Sequence, residues 1–195
     1  MYHFFAFVDR MRLIRRWGLM RSTLPENLAE HSNQTALLAH ALVTIENTRF
    51  GTHLNPERAA VLALYHDAAE TITGDLPTPI KYYNREILGS YQAVEDYAKD
   101  TLLSKLPEDL QEVYSDILNG EHEPEWRYVK AADTLSAYIK CLTERQTGNR
   151  EFRSAEETLR EKLQQIDLPC LRVFEQEFLA SFGATLDDMA EEETE

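Results

Sequence analysis

The chain has 195 residues, of which 43 % are hydrophobic and 28 % charged, and its formal net charge is −14. That suffices for one domain with a real core and an ordinary globular composition. It works against binding polymeric nucleic acid, whose phosphates need lysine and arginine, and no apolar run approaches the roughly 20 residues that cross a bilayer.

Helical periodicity runs from the start. Phe4, Phe7, Met11 and Ile14 recur at steps of three and four, the signature of one apolar helix face. Five arginines (Arg10, Arg12, Arg15, Arg16 and Arg21) against the single acid Asp9 precede Ser22. This invites a transit-peptide reading, set aside because Trp17 and its neighbours look functional. The patch suits a small phosphate better than a long polyanion. No secretory signal is evident.

Leu38, Ala41, Leu42 and Ile45 mark a second helix. Asn55-Pro56-Glu57 reads as an N-cap with proline in the first helical position. The face that follows runs through Ala59, Leu62, Ala63 and His66. Gly74 is placed to end a helix in the left-handed conformation, and Pro77 and Pro79 stiffen the loop after it. Tyr91, Val94, Tyr97 and Leu102 mark a further helix, as do Leu110, Val113, Tyr114 and Ile117.

A longer helix carries Trp126, Val129, Ala132, Ser136 and Ile139 and ends near Gly148-Asn149. Leu159, Leu163 and Ile166 lead to Pro169, which breaks or kinks the pattern before Leu171, Phe174, Phe178 and Phe182 resume it. The expectation is an all-α domain of six to eight helices over residues 1–183. An acidic, solvated tail follows over 184–195, with six acids and no base between Asp187 and Glu195. Cys141 and Cys170 are the only cysteines, too few for a disulfide framework and natural in a reducing cytoplasm.

The chemistry concentrates in an H…HD…D set: His31, the pair His66-Asp67, and Asp133. Imidazole and carboxylate donors of this kind suit one divalent transition metal, such as Mn²⁺, Co²⁺, Fe²⁺, Ni²⁺ or Zn²⁺. Such an ion polarises phosphoryl oxygens and acidifies water, so the set points to a metal-dependent phosphohydrolase. Each member alone has an ordinary explanation: a His-Asp dipeptide is usually a surface pair, and His31 can simply belong to a helix start. Asp133 is harder to dismiss, because Val129, Ala132, Ser136 and Ala137 surround it with small or apolar residues and a carboxylate facing a core must be paired. Glu70 lies four residues after His66, one helical turn along the same face. His40, His53 and His122 are not needed for the site.

Four stretches, "RLIRRWGLMR", "ENLAEHS", "LALYHDAAETITGDLPTPIKY" and "VKAADTLSAYIKCLTE", resemble the HD-domain metal-dependent phosphohydrolases. More closely, they resemble the bacterial 5′-deoxynucleotidases typified by YfbR, up to about Phe182. The resemblance implies an HD-domain helical bundle that hydrolyses 2′-deoxynucleoside 5′-monophosphates to deoxynucleoside and phosphate. It implies His31, His66, Asp67 and Asp133 as ligands of one divalent metal (Co²⁺, Mn²⁺ or similar) and Glu70 as the catalytic glutamate. Arg16 would orient the phosphate and Trp17 would pack on the sugar. Further substrate contacts are implied from Asp67, Asp133, Asp75, Leu76, Pro77 and Thr78. A homodimer is also implied. Two rivals stay open: an HD hydrolase of ppGpp, a dNTP or a cyclic nucleotide, and a metal-stabilised binding module without turnover.

Overall fold

Asn27 starts the central helix. Its side chain accepts from the Glu30 amide, and the Glu30 carboxylate accepts from the Asn27 amide, each at 3.0 Å. This reciprocal cap satisfies two amides the helix leaves open. The computed structural model describes residues 1–77 and 84–190. Within them the chain forms α1 (Phe4–Asp9), α2 (Leu28–Phe50), α3 (Pro56–Tyr65), α4 (Glu70–Thr73), α5 (Arg85–Leu103), α6 (Glu108–Leu118), α7 (Trp126–Gln146), α8 (Arg153–Gln165), α9 (Pro169–Glu177) and α10 (Leu186–Ala190). Short 3₁₀ turns at Arg10–Leu13, Gly120–His122, Arg150–Phe152 and Leu179–Gly183 join some of them. Among the described residues, pairing of the strand type is confined to one bridge, between Arg15 and Asn27. The all-helical expectation holds, with seven of these helices nine or more residues long.

The long helices α2 and α7 pack on each other, with α3 against both. Their contact faces are rich in small buried residues: Ala36 and Ala39 on α2, Ala59 and Ala63 on α3, Ala131 and Ala132 on α7. Small side chains let the helices approach closely, which brings polar side chains of different helices within reach of one ion. Leu42, Val43, Leu62, Leu135 and Leu171 fill the core around them. A second apolar cluster, built on Phe4, Met11, Leu28, Leu102 and Leu106, seats α1 and α5 beside the start of α2.

Two local expectations change. The third helix does not run through His66; it stops at Tyr65, and residues 66–69 form turns before α4 begins. Gly74 does have positive φ, but at φ 76° and ψ 162° it lies outside the left-handed helical well, in a region essentially open only to glycine. Pro169 opens α9 at its first turn after extended Leu168. Of the acidic tail, Leu186–Ala190 form the exposed α10, and residues 191–195 lie outside the described ones.

The segment between α1 and α2 is a loop whose ends are tied together. Leu28 donates its amide to the Ile14 carbonyl at 2.9 Å, and Arg16 donates to the Glu26 carbonyl at 3.1 Å. Its outer part is held by α7. The fully buried Glu144 carboxylate accepts the amides of Thr23 at 2.8 Å and Leu24 at 3.0 Å and the Asn149 side-chain amide at 2.8 Å. It also pairs with Lys140, whose ammonium caps the Leu24 carbonyl. Burial alone would raise the Glu144 pKa, but the Lys140, Asn149, Thr23 and Leu24 donors hold it down to about 2. A carboxyl depressed in the fold stabilises it fully above its unfolded value, near 4.5, and that stabilisation is lost as pH falls toward 2. Urea unfolding across pH 2 to 7 should therefore show Glu144→Gln to be destabilised at neutral pH, with a shallower loss of stability on acidification than wild type.

Candidate active site

His31 lies on the first turns of α2, fully buried. Its Nδ1 sits 3.2 Å from Ser136 Oγ, and that hydroxyl donates to Gln34 Oε1 at 2.6 Å. With its proton committed to Gln34, Ser136 receives the imidazole N–H, so Nε2 of His31 carries the lone pair. His66 is set the same way by a different device. Its Nδ1 donates to the Ala63 carbonyl at 2.7 Å, the carbonyl left open where α3 ends. The interruption of the helix thus orients the imidazole.

Two carboxylates meet these nitrogens. His66 Nε2 is 3.0 Å from Asp67 Oδ2 and 3.9 Å from Asp133 Oδ1; His31 Nε2 is 3.1 Å from Asp133 Oδ1 and 3.8 Å from Asp67 Oδ2. Ligand atoms of His31, His66 and Asp133 lie within 4.8 Å of one another. Asp67 flanks this trio and reaches both nitrogens. In the tautomers fixed by Ser136 and Ala63, every one of these atoms is an electron-pair donor. Among the described residues, buried His66 Nε2 has no hydrogen-bond partner. Converging lone pairs repel unless a proton or a cation lies between them. The donor set fits a divalent transition metal, with the Nδ1 contacts orienting the imidazoles from behind.

Burial drives the His31 imidazole toward its neutral form. Burial also opposes charge on His66, but the Asp67 carboxylate outweighs it and raises the pKa. Burial likewise works against both carboxylates. The His66 imidazole nevertheless holds Asp67 far below the usual carboxylate range, and Lys130, with the two imidazoles, does the same for Asp133.

Arg16 approaches from the α1–α2 loop, with Nη1 3.6 Å from Asp67 Oδ2. Burial disfavours its charge, but Asp67, Asp133, Glu26 and Asp75 together keep it protonated. Trp17 follows at φ 58°, a left-handed conformation rare for a bulky residue and costing roughly 1–3 kcal/mol. Its ring packs on the buried Phe152 ring, centroids 5.2 Å apart. Glu70 opens α4 with its side chain buried. Asp75, Leu76 and Pro77 follow, half-buried, and Thr78 lies outside the described residues. His40, His53 and His122 are exposed and outside the cluster.

Sequence reasoning missed several members of this environment. Lys130 places Nζ 3.2 Å from Asp133 Oδ2; its three-residue spacing from Asp133 was the available sign. Glu26 accepts from both Arg16 and Trp17, and Ser136 and Phe152 back His31 and Trp17. Nothing in their local pattern announces them, because each acts across long sequence separations.

The all-helical bundle brings two imidazoles and two carboxylates together between α2, the α3–α4 break and α7. Solved structures share the fold. An HD-domain phosphohydrolase from Listeria innocua aligns with TM-score 0.80 at 23 % identity, over 96 % of this chain and 91 % of that one. The cyanophage S-2L HD phosphohydrolase DatZ, bound to dA and one catalytic Zn²⁺, aligns at 0.63 and 22 % identity, over 92 % of this chain and 96 % of that one.

The chain belongs to the YfbR-like 5′-deoxynucleotidase family, whose model matches residues 3–182. A 5′-deoxynucleotidase of Vibrio parahaemolyticus is 50 % identical over 190 residues, covering 96 % of this chain and 98 % of the relative. One from Cronobacter sakazakii is 46 % identical over 192 residues, covering 97 % and 96 %.

A ligand that binds only the folded state raises stability by about 2.7 kcal/mol at a hundred times its Kd. Wild type should therefore retain about one divalent ion per chain by elemental analysis and melt higher with metal than after chelation. His66→Ala should lose both the ion and the metal-dependent rise. Stoichiometric metal in His66→Ala would remove His66 from the site.

Proposed function

We propose that the chain is a metal-dependent 5′-deoxynucleotidase that hydrolyses 2′-deoxynucleoside 5′-monophosphates to deoxynucleoside and phosphate. The observation that carries this beyond family membership is the pairing of a converging donor cluster with Arg16, whose Nη1 lies 3.6 Å from Asp67 Oδ2, and with Trp17 next to it in the chain. His31, His66, Asp67 and Asp133 would hold the metal. When bound, such an ion polarises a phosphoryl oxygen and makes water a competent nucleophile near neutral pH.

The chain's own residues supply the rest. Arg16 presents a planar guanidinium that binds phosphate oxygens in bidentate fashion. Its Nε is already engaged by Glu26, which leaves the terminal nitrogens for phosphate. Lys130 adds a second positive charge beside Asp133. Glu70 accepts a proton from the attacking water. Asp75, within the field of Arg16, or a water would protonate the leaving 5′-oxygen, and Asp75, Leu76, Pro77 and Thr78 are the expected contacts to the nucleoside. Trp17 stands against C2′ of the sugar, where a ribose hydroxyl meets an apolar ring and finds no acceptor.

The finer reading is a cytoplasmic homodimer that uses Co²⁺ or Mn²⁺. The mixed imidazole and carboxylate donors support a borderline transition metal. Cys141 and Cys170 are free and buried, with burial pushing the Cys141 thiol up to about 12, as a reducing compartment permits. No helix among the described residues is long and apolar enough to cross a membrane. Exposed Val94, Tyr97, Leu110 and Val113 on α5 and α6 offer apolar area for self-association. A purely structural metal site would need neither Arg16 nor the buried Glu70, which argues against a module without turnover.

Phosphate release from dAMP and AMP, with and without chelator, tests the reading. dAMP should turn over far faster, and chelator should stop it. Release of pyrophosphate or triphosphate from longer substrates, with dAMP inert, would favour the rival HD hydrolases. Glu70→Ala should keep metal and substrate binding but lose on the order of 10²–10⁴ in kcat. Trp17→Ala should narrow the gap between dAMP and AMP, because an unsatisfied buried hydroxyl costs roughly 1–3 kcal/mol, about tenfold to a hundredfold. An unchanged dAMP preference in Trp17→Ala would move sugar selection to the Asp75–Thr78 loop.

A further inference from the structure

We propose that Glu26 is the positioning residue for both substrate-facing groups of the loop. It would set the phosphate clamp and the sugar wall with one carboxylate oxygen. The proposal rests on the roles given to Arg16 and Trp17 above. Glu26 Oε2 accepts from Arg16 Nε at 3.1 Å and from Trp17 Nε1 at 2.9 Å. Its side chain is 12 % exposed, so water competes poorly for either bond. No other residue accepts a hydrogen bond from both groups among the described residues.

The backbone explains why this residue serves. The Glu26 carbonyl receives the Arg16 amide at 3.1 Å, and the next residue, Asn27, caps α2. The carboxylate is therefore fixed in register to the start of the helix that carries His31 five residues further on. Arg16 closes the circuit through Nη1, 3.6 Å from Asp67 Oδ2. The distance from metal ligands to phosphate clamp and sugar wall is thus referenced to one helix end.

Trp17 needs such a restraint. At φ 58° its backbone has left the ordinary wells, and a strained residue keeps its place only where surroundings over-determine it. Phe152 supplies a wall on one side.

The two bonds differ in kind, and this makes them separable. Trp17 offers a neutral N–H that any carbonyl oxygen accepts. Arg16 offers a charged N–H, for which an ionised acceptor is about twice as strong as a neutral one. Glu26→Gln retains an amide oxygen for the indole and loses the charge. Glu26→Ala removes both.

The experiment measures kcat and KM for dAMP and AMP in metal-loaded wild type, Glu26→Ala and Glu26→Gln. It adds acrylamide quenching of Trp17 in a Trp126→Phe background, where Trp17 is the only tryptophan. Glu26→Ala should keep its metal, lose about tenfold or more of the preference for dAMP and raise KM for both monophosphates. Its Trp17 should be quenched about twofold more readily, since the indole N–H has lost its partner. Glu26→Gln should restore the sugar preference and the quenching to near wild type while KM stays raised several-fold for both substrates.

A folded, metal-loaded Glu26→Ala with unchanged dAMP preference and unchanged quenching would overturn the proposal. Should Glu26→Ala fail to fold, wild-type KM values in Glu26→Gln would overturn the charged clamp, and a raised KM with retained preference would support it. If wild type itself does not act on dAMP, the functional reading fails, and the substrate-free quenching comparison still decides whether Glu26 holds Trp17.

Discussion

The candidate site depends on two imidazoles held from behind at Nδ1 and turned with Nε2 toward two carboxylates. The Ser136 hydroxyl oxygen accepts from His31 Nδ1–H and the Ala63 carbonyl accepts from His66 Nδ1–H, so both Nε2 atoms face inward. The oxygens of Asp67 and Asp133 lie 3.0 to 3.9 Å from them, and the Thr35 hydroxyl lies 3.5 Å from His31 Nε2. An assembly of donors this dense is stable only around positive charge. Because unpaired polar groups are costly to bury, the arrangement would be a liability in a protein that never bound a cation. The fold meets the geometric demand with small residues at the contacts of α2, α3 and α7, and with a helix that ends one residue before its histidine.

A second constraint governs what reaches the cation. The loop bearing Arg16 and Trp17 is held by the Trp17–Phe152 contact and by two carboxylates. Glu144, from inside α7, gathers the amides of Thr23 and Leu24. Glu26 gathers the side chains of Arg16 and Trp17. Lys140 links the two regions, pairing with Glu144 and lying 5.5 Å over the Phe152 ring that backs Trp17. In a chain of net charge −14, Arg16 and Lys130 place positive charge beside Asp67 and Asp133.

Much of this was legible in the sequence. The apolar spacing of Leu38, Leu42, Leu62, Val129 and Ile139 marks the helices whose faces form the main core, and Asn55-Pro56 marks a helix start that the structure places at that point. The H…HD…D set is legible because its chemistry is written in residue types that have few other reasons to recur together. What escaped was the end of α3. Periodicity continues smoothly through His66, and no proline or glycine signals the stop. The positive φ of Trp17 and the partners Glu26, Ser136, Lys140 and Phe152 escaped for a related reason. A hydrogen bond such as Ser136 to Gln34 spans 102 residues, and short-range pattern carries no trace of it.

The most direct test of the account is a crystal structure of Glu70→Ala loaded with Co²⁺ and dAMP, with the metal located by its anomalous scattering. The account predicts one metal peak bounded by His31 Nε2, His66 Nε2 and the carboxylates of Asp67 and Asp133. It also predicts the phosphate on Arg16 and C2′ of the sugar against the Trp17 ring. A metal bound outside those four side chains, or a deoxyribose turned away from Trp17 with its phosphate still on Arg16, would contradict it.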